Sequence, residues 1–116
     1  SITGVDVIQA QRLRRILTAE LEASLARYDV LVTAAGWAPA PPLEEVPKFY
    51  LFERPILAAP FNVSGQPTVS VCNGFSADGL PVGMQIAAAS FDEATALRVA
   101  AAYEAATEFR DQRPPL

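Results

Sequence analysis

The sequence predicts an α/β fold: a layer of strands bracketed by a long helix near the start of the chain and a shorter one near its end. Three observations carry this expectation. Apolar residues recur every three or four positions before residue 28 and again after residue 92. Short β-branched runs stand between them at 30–33, 68–72 and 82–87. Turn-forming residues separate the last two runs, as in a hairpin. With 51% hydrophobic and 19% charged residues in 116 positions, the chain reads as a single unit, 1–116, with a core of its own.

Taken in order, Thr3 and Asp6 form a capping pair. Behind them Leu13, Ile16, Leu17, Leu21, Leu25 and Tyr28 follow at helical spacing, which predicts an amphipathic helix over 5–27. Arg12, Arg14, Arg15, Glu20 and Glu22 lie off that stripe and are expected to form a solvated, ion-pairing face. Val30-Leu31-Val32-Thr33 predicts a strand buried on both faces. Residues 34–48 hold Gly36, Pro39, Pro41, Pro42 and Pro47, a density of proline that precludes a ladder and predicts an extended loop.

The clusters Phe49–Phe52 and Ile56–Phe61 are apolar without a deciding period, so a short helix and an irregular segment are both compatible. Thr68–Cys72 and Val82–Ala87 alternate as strands. Asp78-Gly79 near the tip of the intervening turn makes them an antiparallel hairpin. Ser90 and Glu93 read as a capping box opening a helix over 92–110, with Val99, Ala102, Tyr103, Ala106 and Phe109 on its packed face.

Several function classes are disfavoured at once. The net charge is −4 and the arginines are dispersed, so nucleic acid is not an expected partner. No apolar run is long enough to cross a bilayer, and the first residues lack the pattern of a secretory signal. With one cysteine, Cys72, and no histidine, neither an internal disulfide nor a zinc site is expected, and a buried structural thiol in a reducing, cytoplasmic setting is. No cofactor or metal is called for. The glycines are spread through the hairpin and make no phosphate cradle.

The lack of histidine also excludes a Ser-His-Asp apparatus within this chain. The one lysine, Lys48, stands in a proline-flanked loop that keeps it hydrated and protonated, unsuited to act as a base. The chain opens on Ser1 rather than methionine, which fits a start inside a longer polypeptide and equally the removal of an initiator.

The distinctive block is Phe61-Asn62-Val63-Ser64-Gly65-Gln66-Pro67, running through Thr68–Gly74 and continued by Gly79-Leu80-Pro81-Val82-Gly83-Met84-Gln85-Ile86. It resembles the C-terminal block of the amidase-signature family, with its Asn-x-x-Gly-x-Pro and Gly-Leu-Pro-x-Gly-x-Gln segments. The likeness extends to the helix ending in Asp29-Val30-Leu31-Val32-Thr33 and to the alanine-rich helix at the end. Cys72 and Ala34 stand where the family often has proline.

The resemblance implies the C-terminal part of an α/β/α sandwich around a mixed sheet. It also implies amide hydrolysis through a Ser–cis-Ser–Lys triad whose residues lie upstream and have no counterpart here. Ser64 falls in the Asn-x-x-Gly block rather than in the Gly/Ser-rich one and is assigned no catalytic role. The implied partners are the remainder of the amidase polypeptide and a small amide substrate.

Phe61, Asn62 and Gly65 are the candidate substrate-binding residues, as shapers of a pocket wall. Gly65 can take positive φ, Asn62 can bridge backbone groups and Pro67 fixes the entry to a strand. Equally, they can shape a turn and nothing more. Ile56–Phe61 with the aromatics at 49–52 can line an acyl or aryl pocket or fill plain core. Gln85 is either a partner for buried backbone or an edge residue. The rival reading is a standalone, non-catalytic module, monomer or homodimer, that binds a ligand or a protein. The fragment reading predicts an exposed apolar face and an open sheet edge.

Overall fold

The alternation at 68–72 and 82–87 places every second side chain on one surface, and the chain builds its sheet on that pair. A computed structural model describes residues 1–46 and 55–113; Lys48 and the Phe49–Phe52 cluster lie outside the described residues. The elements are helix α1 (Gly4–Leu25), strand β1 (Val30–Ala34), helix α2 (Ala59–Ser64), strands β2 (Thr68–Phe75) and β3 (Pro81–Ala88), and helix α3 (Glu93–Ala105). Single 3-10 turns stand at Leu43–Glu45 and Phe109–Asp111.

The sheet order is β1-β3-β2, so the last strand in sequence is the central one, antiparallel to both neighbours. The hairpin closes with Gly79 at φ 77° and with the Ser76 N–H donating to the Leu80 carbonyl at 2.8 Å. Glycine is needed at that left-handed position. A bulge interrupts the β2 register between Cys72 and Gly74, and there the Cys72 thiol, only half-buried, donates to the Gly74 carbonyl at 3.4 Å.

Residues opposed across antiparallel strands share a face. Val32, Ile86 and Val69 therefore lie on one side, and Thr33, Gln85 and Ser70 on the other. Helix α3 packs on β2 and β3, building a core of Val71, Ile86 and Ala100 with Val30, Val69, Met84, Val99 and Tyr103 against it. Ile86 is wholly buried; on the opposite face, Gln85 reaches the segment that leads into α2.

Four expectations are corrected. Strand β1 is not buried on both faces: Val32 is 55% exposed and Thr33 and Ala34 are exposed; α3 packs mainly on β2 and β3, and among the described residues no strand lies beyond β1. The stripe of α1 is only partly packed. Leu25 is buried and Leu17 and Leu21 half-buried, while Leu13, Ile16 and Tyr28 are exposed, as is every residue from 1 to 16.

Helix α3 is capped by Asp92, whose carboxylate accepts the Thr95 N–H at 3.2 Å, and not by Ser90, which donates to Glu22 instead. Phe91, with φ at 65°, reverses the backbone between the two candidates and so moves the helix start. The helix ends at Ala105, and its buried positions are Thr95, Ala96 and Ala100 rather than Ala102 and Ala106. Finally, the arginines and glutamates of α1 do not pair. Among the described residues the ion pair is Arg110–Asp111 at 3.7 Å. On α1, Arg15 stands five positions from Glu20 and Arg12 eight, not the three or four that adjacent turns require.

The Thr3–Asp6 capping box forms as expected: the Thr3 N–H and hydroxyl both donate to Asp6 Oδ2 at 2.8 and 2.7 Å, and the Asp6 N–H donates back at 3.3 Å. The accessible surface is 8759 Å², against about 6,100 Å² for a compact monomer of this mass. The radius of gyration is 16.9 Å, against about 13 Å for a compact chain of this length. The chain is a slab of 50 × 39 × 18 Å.

Candidate functional site

The candidate segment is α2 and its flanks. Pro60 sits in the first turn, where its missing N–H has no helical partner to lose. Gly65 terminates the helix in the left-handed region, φ 90° and ψ 14°, with its N–H on the Phe61 carbonyl at 2.8 Å. No atom lies within 4 Å of where a Cβ would stand, so the glycine is required by its torsion and not by crowding. Phe61 is buried and anchors the helix inward. Asn62 is exposed and its side chain makes no hydrogen bond with a described residue, so the bridging expected of it is not observed.

Ser64 donates to the Pro60 carbonyl at 2.7 Å and lies against the Gln66 side-chain amide. Its one proton is committed to backbone, and among the described residues no lysine or histidine approaches it, so nothing here activates it as a nucleophile. Gln66 is 5% exposed, and its Nε2 is buried without a partner. Turning that amide by 180° would bring Nε2 to the Ser64 oxygen and leave Oε1 open instead. One buried polar group therefore stays open in either orientation.

A second set of contacts joins the loop after β1 to the segment before α2. Gln85, 3% exposed, donates through Nε2 to the Ala34 carbonyl at 3.2 Å and to the Leu57 carbonyl at 3.0 Å. This is the partner-for-backbone alternative left open by the sequence. The Trp37 indole N–H donates to the Pro55 carbonyl at 2.6 Å. Between these two ties lies a cavity of about 220 Å³ walled by Trp37, Pro39, Pro41, Ile56 and Leu57.

A larger concavity of about 730 Å³ runs between α1 and Ser64, but it is open to solvent and floored by exposed side chains of α1. There Arg14 donates to the Val63 carbonyl at 2.7 Å. The smaller cavity, also open to solvent but lined by tryptophan, proline and aliphatic side chains rather than by arginines, is the better candidate for an apolar ligand group. Sequence reasoning brought out Phe61, Asn62 and Gly65 and missed Trp37 and Gln66. The signals were the one tryptophan placed inside a proline-rich loop, and an amide wedged between Gly65 and Pro67. Among the described residues no group of three potential metal ligands occurs, and no helix is long and apolar enough to cross a membrane.

Comparison with known proteins agrees with this architecture. The sequence profile of the Amidase family matches residues 3–97. A glutamyl-tRNA(Gln) amidotransferase subunit from Oceanobacillus iheyensis is 38% identical over 110 residues, covering 93% of this chain and 22% of that protein. Its counterpart of the same name from Geobacillus stearothermophilus is 39% identical over the same shares.

Among solved structures, the glutamyl-tRNA(Gln) amidotransferase subunit from Thermotoga maritima superposes with a TM-score of 0.80 at 31% identity, over 89% of this chain and 23% of that one. A 6-aminohexanoate cyclic dimer hydrolase complexed with substrate gives 0.83 at 30% identity, over 98% and 27%. The chain thus spans about a fifth of the length of the curated relatives it matches. With a family profile aligned to most of its residues and solved relatives sharing its fold, the chain belongs to the amidase family.

Proposed function

We propose that this chain is the C-terminal segment of an amide-hydrolysing enzyme, supplying part of the substrate wall while the rest of the polypeptide supplies nucleophile and base. The observation that carries the reading is the disparity in coverage. The sequence likeness to the relatives extends over 93% of this chain but over only 22% of the relatives' own length. The exposed apolar side chains of α1 and β1 and the surplus of accessible surface support it. A self-sufficient module would bury both.

In this reading Phe61 anchors α2, Gly65 sets its exit, and Asn62 faces solvent where the missing domain or a substrate can meet it. The Trp37 cavity receives an apolar part of a small amide. The test is direct. The 116-residue chain, free of longer polypeptides, should not turn over simple aryl or aliphatic amides, whereas the complete polypeptide should. Turnover by the short chain alone would overturn the proposal.

A second reading is transfer of the amide nitrogen to another acceptor, favoured by the names of the relatives at 38 and 39% identity. Ammonia released in the absence of acceptor, but no faster when glutamyl-tRNA(Gln) is added as acceptor, would favour plain hydrolysis.

A further inference from the structure

Trp37 combines two properties that rarely serve the same end. Its one polar atom is satisfied, the indole N–H donating to the Pro55 carbonyl at 2.6 Å, yet the residue is 61% exposed. A tryptophan kept for core packing would bury its ring, which offers one of the largest apolar surfaces of any side chain. Here the hydrogen bond fixes the ring by its edge to a residue eighteen positions away. Trp37 and Pro55 both line the cavity, so the tie between them is part of its wall.

The chemistry of that wall is one-sided. Among the described residues that line the cavity, none carries a charge, a hydroxyl or an amide side chain, and the indole nitrogen is the one polar side-chain atom. Its proton is already committed. Pro39, Pro41 and Pro55 lack a backbone N–H as well. A charged group entering here would give up water without gaining the counter-charge and hydrogen bonds that its burial requires. An aliphatic group would gain burial alone. An aromatic ring gains the same burial and, in addition, offset-stacked or edge-to-face attraction to the indole. Gln85 holds both sides of the cavity through the Ala34 and Leu57 carbonyls, so the walls are in place before a ligand arrives and little ordering cost is left to binding.

We propose that Trp37 is the specificity-determining residue of this cavity and selects amides bearing an uncharged aromatic ring, which packs against the indole. The amide group itself, needing partners that the described lining does not supply, stays outside among residues of the remaining polypeptide. This rests on the reading that the chain is part of an amide-hydrolysing enzyme, and adds the substrate class to it. The attraction between aromatic rings beyond their burial corresponds to a preference of roughly two- to tenfold over a saturated ring of the same carbon skeleton.

The test uses the complete amidase polypeptide carrying this sequence and three probes: phenylacetamide, cyclohexylacetamide and glutamine, the last an amide that carries an ammonium and a carboxylate. The expected kcat/KM for phenylacetamide exceeds that for cyclohexylacetamide roughly two- to tenfold and that for glutamine by at least about 100-fold. Trp37→Leu should bring the first ratio to about one by raising KM for phenylacetamide at unchanged kcat, the mark of a lost binding contact. Trp37→Phe should keep most of the ratio. A ratio unmoved by Trp37→Leu, a loss confined to kcat, or a preference for glutamine would overturn the proposal.

Binding is read apart from turnover by the NMR signal of the Trp37 indole N–H, identified as the one absent from Trp37→Phe. Phenylacetamide should shift it saturably, cyclohexylacetamide only at severalfold higher concentration, and glutamine not at all. Ala40→Phe fills the cavity at an exposed lining position while leaving Trp37 and its bond intact. It should keep the signal and abolish the shift, and a shift that persisted would put the ring elsewhere and overturn the assignment. A saturable shift without hydrolysis of any amide would strike the functional reading and leave the preference of the cavity standing. Hydrolysis with a signal that no probe moves would overturn this inference alone, and the lack of both would overturn the two together.

Discussion

Replacing Gln85 by leucine isolates the tie that holds the cavity walls. The side chain is 3% exposed and donates to two carbonyls, Ala34 and Leu57. Each lost hydrogen bond is worth about 1 kcal/mol net, and a carbonyl left without a partner costs about 1–3 kcal/mol if water cannot reach it. Leucine recovers part of this through apolar burial, so the expected loss is about 2–3 kcal/mol. Urea denaturation followed by the fluorescence of Trp37, the one tryptophan, reads that loss as a lower midpoint at unchanged slope. The same fluorophore reports on the wall itself, so native emission should shift to the red as the loop containing Trp37 loosens. Ser70→Ala, on the same face and bonded to the Met84 carbonyl at 3.3 Å, is the control and should leave the emission where it was. A destabilisation below about 0.5 kcal/mol with unmoved emission would mean that water satisfies both carbonyls, and would refute the clamp.

Three further expectations concern single residues. Gly65→Ala should cost about 1–2 kcal/mol from the left-handed torsion alone, and Gly65→Asn less, in the same denaturation assay. Asp92→Ala removes the cap of α3 and should cost about 1 kcal/mol, while Ser90→Ala, if the cap is assigned correctly, should not approach that loss. The Asp6 carboxyl is held below its ordinary value of 3.8 by the Thr3 hydroxyl and backbone N–H. Its contribution is therefore complete above pH 3.8 and is lost as pH falls through the lower, folded-state value. Circular dichroism should show α1 fraying over that acid range in the parent and not in Asp6→Asn, where the change is absent because the carboxyl is gone. Added salt should weaken the effect, the group being fully exposed.

Local chemistry was legible in the sequence and partnership was not. The Thr3–Asp6 cap and the Asp78-Gly79 turn are fixed by residues within a few positions of one another, and both formed as read. Helical spacing marked Leu13 and Ile16 as apolar positions on α1, but periodicity carries no information on whether the covering surface belongs to the same chain. The run at 30–33 reads as doubly buried for the same reason: its composition suits an interior strand, and here it stands at an edge. Ser90 and Asp92 offered rival caps two residues apart, and the positive φ of Phe91 that separates them is not a property phenylalanine advertises. At the candidate site, Gly65 was legible from its block. Gln85 and Trp37 acquired their roles only once segments far apart in sequence had been brought together.

A slab 18 Å thick also has a calorimetric signature. A compact domain gains about 12–15 cal/mol/K per residue in heat capacity on unfolding, because burial had removed most of its apolar surface from water. Here, among the described residues, Ile86 is the one larger side chain wholly buried, and much of that surface is hydrated from the outset. The isolated chain should therefore melt over a broad range with a small heat-capacity increment, and the missing increment should reappear as a negative heat-capacity change when the remaining polypeptide docks.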